Sequence, residues 1–449
     1  MNILKKVVVA LLYTTVLFAN SSNDNMKWHN LLSEKKYEKI DSLLQNIKKD
    51  ILKNPNNESK LSKAIDNLLL DKSLRENLQE YAKVKPNSPF SHLLLGYDYF
   101  YKAFDARGYK FVGKTPKSNF VKMREILVKA DDEFLKSLKL DSKIPSTYGA
   151  LIASYALDSK DEKRDDIYKK GIKKLPNSYI IRKVYMRYSL LKWGGSIEKI
   201  ESLLKDARAH YKSNPLLKKL EGYTDYAKAD FYAIQKKDYE KGLIYINKAL
   251  EKSDNLNYYY LRGVIYKYLK RYNKALDDFN IILKDSPSGL NTLKQRESVY
   301  LSLKNYDLAL KDAETILKYD KKDSYAYYVR GVYYYDKGEF DLAKIDFLDS
   351  IKLSESAGAK KYLAYCYYAK KEYSEAADYL QQALDAGSKD SSVYYYLSVS
   401  LWYKHDCKFV KNAYKYKESC TLNGDCNQEW VDWAIKSADY AKARGICKE

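Results

Sequence analysis

Small and apolar residues recur with a long period in the second half of the chain. Segments 260–287, 294–320, 328–354 and 361–387 align with one another at a period of about 34 residues, and the last shift is one residue shorter than the others. The aligned columns are Gly263, Glu297, Gly331 and Ala364; Tyr266, Tyr300, Tyr334 and Tyr367; Ala275, Ala309, Ala343 and Ala376; and Phe279, Ala313, Phe347 and Leu380. Small residues in the first and third columns allow two helices to approach closely, and the Tyr and Phe columns fill the space between neighbouring pairs. The pattern predicts stacked pairs of antiparallel helices.

These columns resemble the tetratricopeptide repeat, a helix–turn–helix unit, over about residues 256–387. The resemblance implies an all-α fold in which the units stack into a right-handed superhelical solenoid. Glu297 stands where the family has a small residue, and we expect it to weaken the packing of the second unit.

Two further columns carry opposite charges. Arg262, Arg296 and Arg330 lie one residue before the small column, and Asp278, Asp312 and Asp346 follow them by sixteen residues. In the fourth unit both positions change together, to Leu363 and Tyr379. We therefore predict a structural ion pair between the two helices of each of the first three units. Independent, solvated charges are the alternative.

Loop signals divide the rest of the chain into further helical segments. A degenerate repeat unit is expected at 231–254, and its first helix is expected to be long, running from Pro215 to Lys237. The N-terminal part loosely resembles an uncharacterised helical domain family through its Ala-Phe-Asp-Ala-Arg-Gly segment at 103–108, and this resemblance implies no known activity. The predicted organisation is a signal peptide at 1–19, an N-terminal helical domain at 20–175 with an inserted loop at 105–118, degenerate helical hairpins at 176–255, tetratricopeptide-like repeats at 256–403 and a Cys-rich helical cap at 404–449.

The N-terminus has the layout of a secretory signal peptide. Lys5 and Lys6 precede an apolar run from 7 to 19, and Ala19 is a small residue suited to a cleavage site. An uncleaved membrane anchor is the alternative, but this run is shorter than the roughly 20 residues that a bilayer-spanning helix needs. We expect a periplasmic or secreted protein with no transmembrane segment in the mature chain.

Export changes how the cysteines are interpreted. Cys407, Cys420, Cys426 and Cys447 lie close together near the C-terminus, whereas Cys366 is separate and falls on an apolar helix face. In an oxidising compartment the four predict two disulfides, with three pairings left open. A metal site would need closely spaced Cys pairs, which are absent. We predict a disulfide-stapled cap with Trp430 and Trp433 packed inward; a partner-binding projection is the alternative. Cys366 is expected to be a buried free thiol.

The composition narrows the function classes. Among 449 residues there are 80 Lys and Arg against 59 Asp and Glu, a formal charge of +21. The basic residues are scattered along the predicted helices, so solvated helix faces explain most of them, and attraction to an anionic envelope polymer is the alternative. No basic block or nucleic-acid module is present, so we expect no nucleic-acid partner. With 17 Gly and 8 Pro, the chain has too few turn residues for an all-β protein of this length.

Catalytic and cofactor signatures are weak. Residues 108–115 match the spacing G-x₄-G-K-T, but a phosphate-binding loop follows a strand, whereas the preceding segment here predicts a helix and Pro116 follows at once. The four histidines are scattered without paired spacing. We therefore predict no enzymatic activity, no cofactor and no metal.

Binding is the function that remains. The family resemblance implies a concave surface lined by the first helix of each unit, and this surface is rich in tyrosine here. We predict an exported repeat scaffold for protein–protein interaction that binds a protein or peptide; a binding protein for envelope glycan or another anionic polymer is the alternative, and an envelope hydrolase ranks third. The candidate partner-binding residues are Tyr260, Tyr268, Tyr328, Tyr335, Lys361, Tyr365, Tyr368 and Tyr395.

Overall fold

A computed structural model describes residues 22–108, 115–423 and 426–447 of the chain. Within these residues the regular structure is helical and no strand occurs, so the predicted all-α class is confirmed. The chain forms two compact units, Met1–Val299 and Tyr300–Glu449, called unit 1 and unit 2 below. The predicted signal peptide, 1–19, lies outside the described residues. The predicted domain boundaries stay predictions.

Unit 1 is a series of helical hairpins with short connections. Several helices begin with a polar cap that accepts a hydrogen bond from the first turn, because the first backbone N–H groups of a helix have no partner within it. Ser88 and Asn255 do this for the helices that begin at Pro89 and Leu256. The helices are α1 (Ser22–Ser33), α2 (Tyr37–Lys53), α3 (Glu58–Leu70), α4 (Glu76–Val84), α5 (Pro89–Arg107), α6 (Lys117–Leu140), α7 (Pro145–Leu157), α8 (Asp161–Lys174), α9 (Tyr179–Arg187), α10 (Ile197–Ala209), α11 (Tyr223–Asp230), α12 (Tyr239–Lys252), α13 (Leu256–Tyr268), α14 (Tyr272–Asp285) and the start of α15 (Leu290–Ser302).

Unit 2 continues the same alternation of helices. Its helices are the end of α15, α16 (Tyr306–Tyr319), α17 (Ser324–Asp336), α18 (Phe340–Leu353), α19 (Ala357–Ala369), α20 (Tyr373–Asp385), α21 (Ser391–Tyr403), α22 (Lys408–Asn423) and α23 (Gln428–Ala443). The prediction of stacked helix–turn–helix repeats is confirmed.

Two local expectations in unit 1 differ from the structure. The expected inserted loop at 105–118 is shorter, because α5 continues to Arg107 and α6 begins at Lys117. Of the G-x₄-G-K-T segment, residues 109–114 lie outside the described residues, and a helix precedes it as expected. The expected long helix from Pro215 to Lys237 is wrong. It is interrupted at Gly222, which has φ +79° and lies against the Ala249 backbone, where a β-carbon would come within 2.6 Å of the Ala249 oxygen.

In several hairpins the two helices pack together through a glycine of one helix that lies under an aromatic ring of the other. A β-carbon on Gly263 of α13 would lie 2.6 Å from Phe279 of α14, and one on Gly331 of α17 would lie 2.6 Å from Phe347 of α18. Both rings are fully buried. These contacts are the close approach that the small column predicts.

The same contact occurs far upstream, in the α5–α6 hairpin. A β-carbon on Gly96 would lie 2.5 Å from Phe134, and the ring of Phe134 is fully buried. This hairpin therefore packs as the clear repeats do, although its connection is longer and its sequence is degenerate.

Arginine–aspartate pairs also connect hairpin helices. Arg262 donates to both carboxylate oxygens of Asp278 at 2.9 and 2.7 Å, and Arg330 does the same to Asp346 at 2.8 and 2.7 Å. Such bidentate geometry is the strong form of this interaction. Hydrogen bonding to the carboxylate raises the pKa of both guanidinium groups.

The remaining hairpins show what else can occupy these positions. Arg296 donates to Asn280 at 2.7 Å. Arg296 lies in unit 1 and Asp312 in unit 2, and an ion pair between them stays a prediction. In the fourth hairpin, where Leu363 and Tyr379 stand instead, Tyr379 stacks on Tyr367 with ring centroids 5.6 Å apart.

The C-terminal cap is stapled as predicted. Disulfides join Cys407 to Cys447 and Cys420 to Cys426, which resolves the pairing left open by the sequence. Trp430 and Trp433 pack against the buried residues of α21 to α23. Cys366 is a buried free thiol, and burial raises its pKa to about 12.

In unit 1 a buried carboxylate fixes the start of α9. Glu58 of α3 accepts hydrogen bonds from the Ser178 hydroxyl at 2.5 Å and from the backbone N–H groups of Tyr179 and Ile180 at 2.5 and 3.1 Å. Glu58 is only 1% exposed. Burial raises its pKa from 4.5 to about 7, against the opposing effect of these donors.

We expect stability to depend on pH through Glu58. Because its pKa is higher in the folded state, its contribution is fully present below pH 4.5 and is lost as pH rises through about 7. Between pH 4.5 and about 7 the unfolding free energy of the wild type should therefore decline because of Glu58. Glu58→Gln should remove up to ~3 kcal/mol of that decline, since one pKa unit corresponds to about 1.4 kcal/mol. Urea unfolding at a series of pH values measures it.

The matched control for this prediction is Glu76→Gln, at an exposed position that begins α4. Its stability curve should run parallel to that of the wild type. A parallel curve for Glu58→Gln as well would contradict the assignment.

Candidate binding surface

Six half-buried aromatic side chains follow one another across unit 2. They are Tyr335 of α17, Tyr362 and Tyr365 of α19, Tyr395 and Tyr396 of α21, and Trp430 of α23, and we call them the aromatic row. Successive ring centroids are 5.4 Å (Tyr335–Tyr362), 5.8 Å (Tyr362–Tyr365), 4.6 Å (Tyr365–Tyr396), 5.3 Å (Tyr396–Tyr395) and 4.4 Å (Tyr395–Trp430) apart. These are the separations of direct aromatic packing.

The repeat itself generates this row. Tyr328, Tyr362 and Tyr396 are each one full repeat period apart and lie on the first helix of three successive hairpins. Tyr328 contacts Tyr362 at 5.9 Å and so extends the row at one end. Tyr368 joins it from the side, 4.9 Å from Tyr396. Each added hairpin therefore adds rings to the same surface.

A polar group borders the row at the start of α21. Asp390 caps this helix and accepts a hydrogen bond from Lys361 at 2.6 Å, while Tyr365 and Ser392 share one at 2.6 Å. The Lys361 ammonium lies 4.9 Å from the ring centre of Tyr362. Burial alone would raise the pKa of Asp390, but the hydrogen bonds from Lys361 and Ser392 hold it below its ordinary value. The Asp390 carboxylate is thus ionised and is paired with Lys361.

The tyrosine hydroxyls of the row remain protonated at neutral pH. Burial raises the pKa of Tyr335 to about 12 and also raises that of Tyr365, Tyr395 and Tyr396. The row therefore offers neutral hydroxyls beside apolar ring faces, a combination suited to polypeptide ligands.

The structure brings together six of the eight candidate partner-binding residues. Tyr328, Tyr335, Lys361, Tyr365, Tyr368 and Tyr395 lie in or beside the row. The other two belong to unit 1. Tyr260 is 7% exposed and packs on Phe279 as a core residue, whereas Tyr268 is exposed and stacks on Tyr239 at 4.8 Å.

Three members of the row were not predicted as binding residues from the sequence. Tyr362 and Tyr396 were not identified because the alignment shifts the fourth unit by one residue less than a full period. That shift aligns Tyr328 with Lys361 and not with Tyr362. A search for tyrosines separated by one full period would have found both. Trp430 was expected to pack inward, and it does so while also stacking on Tyr395 with an interplanar angle of 9°.

Comparison with known proteins agrees with this architecture. A family model described as tetratricopeptide repeat matches residues 256–280, 298–357 and 347–391. No match is found among curated protein sequences. The resemblance of the N-terminal part to an uncharacterised helical family stays a prediction.

Some solved structures are similar to this chain at low sequence identity. A MamA structure from Desulfovibrio magneticus RS-1 is 22% identical and covers 35% of this chain and 94% of its own, with a TM-score of 0.32. The Cut9–Hcn1 hetero-tetramer of the APC/C is 13% identical, with coverage of 92% and 95% and a TM-score of 0.43. TTC0263, a thermophilic tetratricopeptide repeat protein of Thermus thermophilus, is 18% identical, with coverage of 40% and 99% and a TM-score of 0.33.

The stacked hairpins and the family matches define a helical-repeat scaffold, a class that binds proteins or peptides. Residues 256–280, 298–357 and 347–391 match tetratricopeptide repeat models, so this part of the chain is built of tetratricopeptide repeats. Among the described residues, no helix combines the length and apolar character needed to cross a bilayer.

Proposed function

We propose that this protein is an exported scaffold that binds an extended peptide segment of a partner protein along the aromatic row of unit 2. The observation that carries the proposal is the unbroken contact of six half-buried rings from Tyr335 to Trp430. Tyrosine and tryptophan supply large contact area and lose little conformational entropy on binding. Because neighbouring rings already hold one another, little ordering remains to be done when a partner binds.

The charge beside the row favours a peptide over a polyanion. An anionic polymer would be recognised by cationic side chains with uncompensated charge. Lys361, which lies over Tyr362 and Tyr365, is instead paired with Asp390. The row therefore presents neutral rings and hydroxyls. The repeat fold is typically a non-catalytic scaffold, and we propose no catalytic role.

Peptides selected from a random library on the wild-type chain should bind Tyr396→Ala at least tenfold more weakly. Tyr396 contacts Tyr365, Tyr368, Tyr395 and Trp430, so its loss opens the centre of the row. A tenfold change corresponds to about 1.4 kcal/mol, below the usual cost of truncating an aromatic hot spot. Fluorescence anisotropy of labelled peptides measures the affinities.

Tyr440→Ala is the matched control, because Tyr440 is an exposed tyrosine of α23 outside the row. It should bind the selected peptides as the wild type does, and thermal melting should show both variants folded. Equal affinity of Tyr396→Ala and Tyr440→Ala would contradict the proposal. Salt-sensitive binding of dextran sulfate that displaces the peptides would favour the anionic-polymer alternative.

We also propose that the mature protein resides in the periplasm or is secreted. The signal-peptide pattern supports this, as do the two disulfides, because such bonds persist in oxidising compartments. Mass spectrometry of unreduced protein from cell fractions should find a chain that begins at Asn20, with two disulfides and one free thiol at Cys366. An intact Met1 with free thiols at Cys407, Cys420, Cys426 and Cys447 would overturn the localisation.

A further inference from the structure

Unit 1 contains a cleft that the aromatic row and the proposed scaffold function do not explain. Its empty volume is about 820 Å³, open solvent included, and it lies among α3, α5, α7, α9 and α11, with one residue from α13. Its walls are mostly aliphatic and aromatic, with Phe100, Ile180 and Val184 among them.

The charged residues that line the cleft are two cations and one acid. Lys183 and Arg187 lie one turn apart on α9, and Asp66 comes from α3. Asp66 is 4% exposed, so a single buried carboxylate faces two basic groups. The cleft therefore carries net positive charge within an apolar enclosure.

This enclosure makes the positive charge costly. Desolvation, followed by the charge of Arg187, lowers the pKa of Lys183 to about 8, and Asp66 compensates only in part. A bound anion would stabilise the ammonium and the guanidinium together. Charge-assisted hydrogen bonds of this kind are among the strongest that proteins make.

A second observation points to a polar ligand group in the cleft. Ser146 of α7 lines it and is 3% exposed, and the Ser146 hydroxyl has no hydrogen-bond partner within the described part of the chain. A buried hydroxyl without a partner is uncommon, because its desolvation is not repaid. Tyr97 lies beside it and donates to the Ser146 backbone oxygen at 3.4 Å.

The helix that carries both cations is held firmly. Glu58 of α3 binds the first turn of α9 through Ser178, Tyr179 and Ile180. The same two helices provide Asp66 on one side and Lys183 and Arg187 on the other. Direct hydrogen bonds therefore join the two helices that carry these charged residues.

We propose that this cleft binds a small organic acid. Its carboxylate is held by Lys183 and Arg187, and its aromatic or aliphatic body lies against Phe100, Ile180 and Val184. The Ser146 hydroxyl provides a further hydrogen bond. This binding is independent of the peptide surface in unit 2.

Calorimetric titration of the full mature chain tests the proposal with paired probes. Phenylacetate and octanoate are expected to bind with a dissociation constant of about 1 mM or lower, near the affinity of small fragments. Phenethylamine and octylamine have matching bodies and opposite charge, and they should bind at least tenfold more weakly. Acetate, which lacks the body, should also bind at least tenfold more weakly.

Variants assign the binding to the cleft. The double variant Lys183→Met, Arg187→Met should weaken phenylacetate and octanoate binding at least tenfold. Lys173→Met, at an exposed position on α8, should leave it unchanged. Ala153→Phe, which keeps the charge but fills the cleft, should reduce binding of both acids by a similar factor.

Any one of three results would overturn the proposal. The first is the absence of binding by both acids at millimolar concentration, and the second is equal binding of the acids and the amines to the wild type. The third is undiminished binding by the folded double variant. The comparison of acids with amines uses the wild-type chain alone, so it decides the matter even where a variant fails to fold.

Discussion

The two helices of a hairpin in this protein can pack closely because a glycine on the first helix makes room for an aromatic ring on the second. Gly96, Gly263 and Gly331 each lie under a phenylalanine ring, and a β-carbon on any of them would fall 2.5 or 2.6 Å from that ring. In the fourth hairpin Ala364 occupies the glycine position and Leu380 the ring position, and both are fully buried. The larger residue on one helix is thus accompanied by a smaller one on the other, which keeps the interior densely packed.

Both candidate sites depend on this packing. Because each hairpin of unit 2 repeats the same spacing, tyrosines one period apart come into contact on the first helices and form the aromatic row. Unit 1 uses less regular hairpins, and the space left among α3, α5, α7, α9 and α11 becomes a cleft. Regular repetition thus gives an extended surface, and irregularity gives a concave site.

The sequence could predict those features that repeat. Columns such as Gly263 and Phe279 fix the hairpin geometry locally, so the helices, the Arg262 and Arg330 partners and the cap could all be anticipated. Gly222 was harder, because the approach of the Ala249 backbone, which leaves no room for a β-carbon there, is a contact between distant residues. The cleft was missed for the same reason. Asp66, Tyr97, Ser146 and Lys183 are far apart in sequence and lie outside the clear repeats, so no local pattern joins them.

In the α17–α18 hairpin, Gly331 and the ring of Phe347 are matched in size. A double-mutant cycle of Gly331→Ala and Phe347→Leu tests it by urea unfolding, with Gly358→Ala as a control because its β-carbon would meet Tyr328 only at 3.4 Å. Gly331→Ala alone should lower the unfolding free energy by about 1–3 kcal/mol through overpacking, and the control should not lower it. The double variant reproduces the Ala364–Leu380 combination, so its cost should fall below the sum of the single costs by about 1 kcal/mol or more. Costs that add to within ~0.5 kcal/mol would contradict the account.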